Sequence, residues 1–447
     1  MPAWTHRAAR LKSATNMSPP GPYDPSNPSS PQVRRRAFRL LFMCLVATGI
    51  GNSMLFAILP PLARGLGVAE VWVGAIYTLS ALMFLTMSPV WGALSDRHGR
   101  RPMIVFGLSA FSVSTLVFAA GAHAGQVGLL PPVAAIIAMA LARTLFGAFG
   151  SATNPSAQAY VADRTRPMER TAALAGLTSA FGIGGAIGPA LAAAFADRIG
   201  IVPFMLAVAG VVAGAAVAVR LTLPERTPPK EQRRAINPLV QFRFAGDPRL
   251  TAFMAFGCAA WLAQAGSLQA LAFYVMDRLG EDPENGLQLA GVALTAGATA
   301  IIIAQLVVIP YFRVSPRTLM IAGSVLCALG NLELVFSASY GAIVFGFVMT
   351  SFGFGLSRSG FTGGASLAVG PAEQGRAAGL TTATAGVGFL IAPITGLWLY
   401  QVFGPATPFQ INIALGLLAG AIALFHPRVR AAMAPVEADD PDRPSPV

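Results

Sequence analysis

The stretch "GALSDRHGRRPM" (residues 92–103) gathers Asp96, Arg97, His98, Arg100 and Arg101 between two long apolar runs. It does so in a chain of 447 residues of which only 11% are charged, where a soluble domain carries about 25%. With 54% hydrophobic residues and a mean hydropathy of +0.62, the chain belongs in a bilayer. Its apolar runs reach the roughly 20 residues that a helix needs to cross the hydrocarbon core. Gly, Pro and charge clusters separate the runs, a pattern of helices and not of barrel strands. Clusters such as residues 96–101 then mark where the chain leaves the membrane.

Working outward, the runs and breaks predict helices over 39–62, 70–93, 102–123, 132–161, 171–195, 200–222, 251–276, 287–311, 318–337, 341–368, 377–402 and 406–426. The expected fold class is an all-α membrane protein with twelve transmembrane helices. If the N-terminus is cytoplasmic, the inner segments hold Arg34, Arg35, Arg36, Arg97, Arg100, Arg101, Arg164, Arg166, Arg170, Arg313, Arg317, Arg376, Arg428 and Arg430, with six more basic residues between 226 and 249. The outer segments hold essentially Arg64, Arg198 and Arg278. That asymmetry obeys the positive-inside rule and puts both termini in the cytoplasm.

The longest hydrophilic interior stretch, residues 223–250, divides the spans six and six. The expected organisation is a disordered tail (1–37), a first six-helix half (38–222), a cytoplasmic linker (223–250), a second half (251–427) and a disordered tail (428–447). The first tail is rich in Pro, Ser and Asn and has no apolar core of a signal peptide. A faint repeat relates the halves: "PMERTAALAG" (167–176) precedes "GGAIGPALA", and "PAEQGRAAG" (371–379) precedes "GVGFLIAPITG". Duplicated six-helix units are one arrangement that puts a substrate site at the bilayer midplane.

The net charge of +12 does not point to nucleic acid, because the basic residues are scattered through short segments without a patch or interleaved aromatics. Cys44, Cys258 and Cys327 each lie inside an apolar run without motif spacing, so neither a disulfide framework nor a zinc site is indicated. No cofactor or metal is expected. An enzyme is disfavoured as well, for the chain has no phosphate-binding loop, no paired intramembrane carboxylates and no His/Cys cluster.

Three motifs carry a resemblance. Gly92, Asp96, Arg97, Gly99, Arg100 and Arg101 follow a G-x-x-x-D-R-x-G-R-R pattern between the second and third spans. Arg143 and Gly147 lie in the fourth span, and Gly184-x-x-x-Gly188-Pro189 in the fifth. Together with twelve spans they resemble the major facilitator superfamily, and within it the drug:proton antiporters akin to tetracycline exporters. The resemblance covers about residues 38–427. The second copy of the loop signature is nearly erased: "QLVVIPYFRVSPR" (305–317) keeps Gln305, Arg313 and Arg317 only. The family's helix 5 pattern also continues with glycines where this chain has Ala192 and Ala193.

Positive-inside anchoring alone would account for the arginines of residues 92–103, but not for Asp96, since an acid contributes little to topology. A carboxylate there can face the amino end of another helix, where free N–H groups and the helix dipole favour an anion. The resemblance implies that this end belongs to helix 11, around Arg376 to Leu380, with the arginines pairing toward Asp163 and Glu169. Arg170 and Arg376 join the same expected cytoplasmic gate. Gly184, Gly188 and Pro189 are expected to serve close helix packing and a bend, not ligand binding.

Arg143, Gly147, Gly150, Ser151, Asn154 and Gln158 recur every three or four residues and line one face of the fourth span. The tenth shows the same habit with Ser351, Gly355, Arg358 and Thr362. Lipid penalises an arginine by about 2.5–3.5 kcal/mol at the least, so Arg143 and Arg358 are expected to face protein or a wet cavity. Asn52 and Thr48 on the first span and Trp261 and Gln264 on the seventh complete the candidate lining. Acids are scarce: tetracycline-exporter relatives carry an Asp shortly before the segment that here is Gly49-Ile50-Gly51, and this chain has Val46, Ala47 and Thr48 there. Glu333, Asp163 and Asp96 remain as coupling candidates. The expected function is alternating-access export of small amphipathic or lipophilic compounds in exchange for protons, by a monomer. The alternatives are uptake or facilitated diffusion of a small anionic metabolite, and a non-transporting receptor or scaffold.

Overall fold

The computed structural model describes residues 31–165, 167–225, 247–312, 314–370 and 373–431. Twelve helices in it are long and apolar enough to cross a membrane. The first half comprises α1 (Pro31–Gly65), α2 (Glu70–His98), α3 (Arg100–Gln126), α4 (Pro132–Phe149), α5 (Pro167–Leu191) and α6 (Ile201–Thr222). The second comprises α7 (Thr251–Leu279), α8 (Pro283–Ile303), α9 (Pro316–Phe336), α10 (Tyr340–Leu367), α11 (Gln374–Phe403) and α12 (Thr407–Phe425). The span of α4 continues through a 3₁₀ turn at Gly150–Ala152 into a helix over Thr153–Asp163. π turns at Ala192–Ala196 and Ala304–Val308 extend α5 and α8.

Local chemistry sets several of the ends. Asp282 caps α8 by accepting from the backbone N–H groups of Glu284 at 3.1 Å and Asn285 at 2.8 Å, and Pro283 supplies the first helical residue, where no donor is needed. Ser315 with Pro316 starts α9 in the same way, and Ser339 caps α10. Gly280, at φ +69°, ends α7 in the left-handed conformation.

Boundaries depart from the sequence reading in three places. α1 begins at Pro31, so residues 31–37 are helical and not part of a tail; proline suits a first turn, and the arginines that follow are good helix formers that extend the span. Residues 94–101 are not an open loop: α2 runs to His98, α3 starts at Arg100, and Gly99 alone joins them at φ +96°, which a side chain would strain. At the other terminus Pro427–Ala431 forms a short helix, with Val429 buried. Leu223–Glu225 and residues 247–250 of the linker are ordered against the bundle, whereas residues 226–246 lie outside the described residues.

Short connections make successive helices antiparallel, which gathers the α2–α3, α4–α5, α8–α9 and α10–α11 connections at one end, called here the arginine-rich end. Among the described residues α3 and α6 pack chiefly within the first half, and α9 and α12 chiefly within the second. The halves meet along α2 with α11, α5 with α8, and α1 with α7 and α8. One apolar core draws on both halves, with Met54, Ile58 and Tyr77 of the first beside Phe273, Tyr274 and Leu397 of the second. It lies toward the end opposite the arginines. Nearer the arginine-rich end each cluster keeps to one half, one around Leu41, Phe111 and Tyr160 in the first, and a larger one around Phe253, Phe256 and Phe361 with a small one at Ala304, Leu319 and Leu356 in the second. The halves are therefore joined at one end and parted at the other.

Candidate functional site

At the joined end, Arg64 of α1 reaches Asp277 of α7 at 2.8 Å and Glu70 of α2 at 2.6 Å. Tyr400 of α11 donates to the same Asp277 carboxylate at 2.6 Å, and the guanidinium stands 5.4 Å from the Phe273 ring centre. Further in, the Thr78 hydroxyl donates to the Leu390 carbonyl at 3.0 Å. At the arginine-rich end the contacts of Arg100 and Arg101 stay within the first half, and Arg249 pairs with Glu373 within the second.

The signature residues instead form a cluster within the first half. Arg100 is buried and donates to Asp163 at 3.1 Å and to Asp96 and Ser95. The backbone N–H of Arg101 donates to Glu225, and its guanidinium donates to the Leu223 carbonyl at 3.3 Å. Arg97 is exposed. A side chain at Gly92 would face Pro155 at 3.7 Å, and one at Gly99 would press on Glu225 at 3.2 Å. Asp96 thus turns to its own half and not to the amino end of α11, which corrects the sequence expectation for this conformation. The reason is competition: Arg100 lies four residues on, across the break at Gly99, and is also held by Asp163, so it captures the carboxylate of Asp96 in this conformation. The side chains of Arg170 and Arg376, and Glu169, lie outside the described residues.

The helix 5 motif lies against α1. A Cβ at Gly188 would come within 2.5 Å of the Ile50 carbonyl oxygen and 3.0 Å of the Met54 nitrogen, and one at Gly184 within 2.9 Å of the Gly49 Cα. Backbones this close leave no room for side chains. At the next residue along α5, the Pro189 carbonyl faces Gly291 of α8 across the seam between the halves.

Midway through the bundle the candidate lining divides between the halves. In the first, Arg143 is 5% exposed, donates to Asn52 Oδ1 at 2.8 Å, and lies 4.4 Å from the Phe146 ring centre. The hydrogen bond and the ring are each worth about 2 kcal/mol to a buried cation, so Arg143 is largely accommodated by its own half. Asn154 is half-buried and accepts from Gln158 at 3.1 Å, one turn farther along the same face. Thr48 returns its hydroxyl to the carbonyls of Cys44 and Leu45, a packing role.

In the second half, Trp261 of α7 meets Phe354 of α10 at 4.7 Å and Phe389 of α11 at 5.8 Å between ring centres. Arg358 of α10 stands 5.5 Å from the Trp261 ring centre. Gln264, 5% exposed, leaves its Oε1 without a hydrogen-bond partner, as do Gln269 with both amide atoms, Ser351, the Arg143 Nε and the Tyr77 hydroxyl. Buried polar groups are rarely left unpaired, so these atoms mark a polar layer at mid-membrane depth. The structure thus brings Asn52 to Arg143 and Trp261 to Arg358, and leaves Asn154 with Gln158. Sequence reading missed Tyr77, Phe354 and Phe389, because an aromatic residue in an apolar run carries no local mark of its neighbours. It also missed the pair Arg64 and Asp277, whose opposite charges at one predicted membrane face were the available signal.

Comparison with known proteins agrees with this geometry. The chain is 27% identical to Multidrug resistance protein 1 of Bacillus subtilis (strain 168) over 369 residues, 81% of this chain and 89% of that one. The fold is similar to that of the nucleoside transporter NupG, with a TM-score of 0.69 at 11% identity over 90% of this chain and all of the other. It is also similar to a bacterial homologue of the human lysosomal transporter Spinster in an inward-facing, unoccupied conformation, with a TM-score of 0.65 at 15% identity over 90% and 96% of the two chains. The Major Facilitator Superfamily profile matches residues 41–312 and 286–446. A twelve-helix integral membrane protein built from two such halves, the chain is a transporter and not an enzyme, and it belongs to the major facilitator superfamily.

Proposed function

We propose that the protein exports small amphipathic or lipophilic compounds by alternating access, taking up protons in exchange. The observation that carries this reading is the pairing of a sealed end at Arg64 and Asp277 with a parted end at residues 92–103, and a polar layer between them. Multidrug-resistance proteins among the relatives support the export direction. Both termini and the arginine-rich end are assigned to the cytoplasm of a bacterial inner membrane, on the arginine asymmetry and the bacterial relatives. In that orientation the present conformation opens inward, and closing the arginine-rich end would bring Asp96 and Arg97 toward α11. The candidate carboxylates for the proton are Asp96 and Asp163, both bonded to Arg100, and Glu333 near the far end of α9. The second reading, uptake of a small anionic metabolite, draws on Arg143 and Arg358 in mid-membrane. Transport by purified protein in vesicles, across a panel of compounds with and without a pH gradient, separates the two. Accumulation of lipophilic compounds driven by the gradient supports export; gradient-independent movement of one small anion, with none of the lipophilic compounds, replaces it with the second reading.

A further inference from the structure

Of the two mid-membrane arginines only one has a side-chain hydrogen bond within the protein. Arg143 has Asn52 and Phe146, whereas the Arg358 guanidinium has no hydrogen-bond or ion-pair partner among the described residues and stands beside the Trp261 ring. Arg358 lies nine residues from the end of α10, about 14 Å in from the arginine-rich face, and Trp261 lies ten residues into α7, about 15 Å from that face. α7 packs against α1, α8, α10, α11 and α12, which leaves little of it to lipid, and Trp261 is half-buried among them.

The fold itself does not require a cation there. The halves can be aligned on Phe146–Gly147 of α4 and Phe354–Gly355 of α10, each pair 14 and 15 residues into its helix; the place of Arg358 is then taken by Gly150 in the first half. Nor does any acid answer it. Within α7, α10 and α11 the only carboxylate is Asp277, at the far end of α7 and bound to Arg64 and Tyr400. A desolvated guanidinium with its fork free pairs best with a carboxylate or sulfonate, which it can hold through two parallel hydrogen bonds. Half-buried Phe389 and Trp261 add an aromatic wall beside it, the surface that takes the planar apolar body of a ligand.

From this juxtaposition we infer that the substrates are amphipathic organic anions, with the anionic group received by Arg358 and an aromatic body set against Trp261 and Phe389. The inference rests on the export reading for its direction only. It disfavours lipophilic cations, since an approaching ammonium meets Arg358 and finds no carboxylate on α7, α10 or α11 other than Asp277 at the far end of α7.

The test uses the purified full chain in detergent and two xanthene dyes of similar body and opposite charge, fluorescein and rhodamine 123. Binding is followed by fluorescence anisotropy. Fluorescein is expected to bind at least about tenfold more tightly than rhodamine 123. Arg358→Gln should weaken fluorescein about tenfold or more and leave rhodamine 123 unchanged or improved, and Arg358→Lys should weaken fluorescein by only about two- to fivefold. Tighter binding of rhodamine 123, no saturable binding of fluorescein, or monodisperse Arg358→Gln protein with unchanged fluorescein affinity would each overturn the inference. If Arg358→Gln does not yield monodisperse protein, the wild-type preference between the dyes decides alone. Dye movement in vesicles reports separately on export. Arg358-dependent fluorescein binding without export of either dye removes the export reading and leaves the anion site; export of rhodamine 123 without fluorescein binding does the reverse.

Discussion

Arg64 on α1 and Asp277 on α7 are 213 residues apart in sequence and 2.8 Å apart in space, and their contact ties one half of the molecule to the other. Both side chains keep part of their surface in solvent, 33% and 25%. The pair is therefore a bias on the conformational equilibrium, and the apolar core beneath it supplies most of the closure.

Removing the bias should favour opening at that end. An ion pair of this exposure contributes about 0.2–1 kcal/mol, so Asp277→Asn should raise the open population by about one-and-a-half- to fivefold. A cysteine introduced at Ala270, buried in the shared core, reports it in protein whose native cysteines are replaced. Membrane-impermeant maleimide should label that cysteine correspondingly faster in the variant. An unaltered labelling rate would mean that the pair does not hold the gate.

Asp96 makes its ion pair inside the first half in this conformation, so its proposed latch to α11 would form only when the arginine-rich end closes. Asp96→Asn should therefore leave membrane insertion intact and change substrate affinity in detergent by no more than about twofold, while turnover in vesicles falls about tenfold or more. Normal vesicle transport by the variant would return the loop to simple anchoring.

The α1–α5 contact predicts a contrast among glycines of one helix. Gly188→Leu has to displace the α1 backbone and should cost about 1–3 kcal/mol or more, seen as lower yield and loss of transport. Gly185→Ala, on a face with open space, should be indistinguishable from wild type in both. Full activity of Gly188→Leu would contradict the packing described for this pair.

Arg143→Lys keeps a cation at the mid-membrane but loses the fork that reaches Asn52. Because this arginine is enclosed by its own half, substrate affinity should stay within about twofold while proton-driven transport falls by about tenfold. The measurement is dye binding beside gradient-driven transport on the same preparation. Loss of binding with coupling intact would move Arg143 into the substrate site.

The number of helices and the clustering of arginines between particular spans were legible in the sequence. Each is a local property: an apolar run long enough to span, a break of Gly, Pro or charge, and a count of arginines in short segments. The glycine signals of α5 and the loop signature were legible for the same reason. Tertiary structure alone decided which of the Arg143 and Arg358 guanidinium groups has a partner, that Asp96 faces its own half, and that Arg64 meets Asp277. Those outcomes depend on the rotation and tilt of helices against one another. Lipid is as apolar as the helix surfaces it touches, so hydrophobicity does not fix that rotation; close backbone contacts and a few polar pairs do, between residues that the sequence keeps far apart.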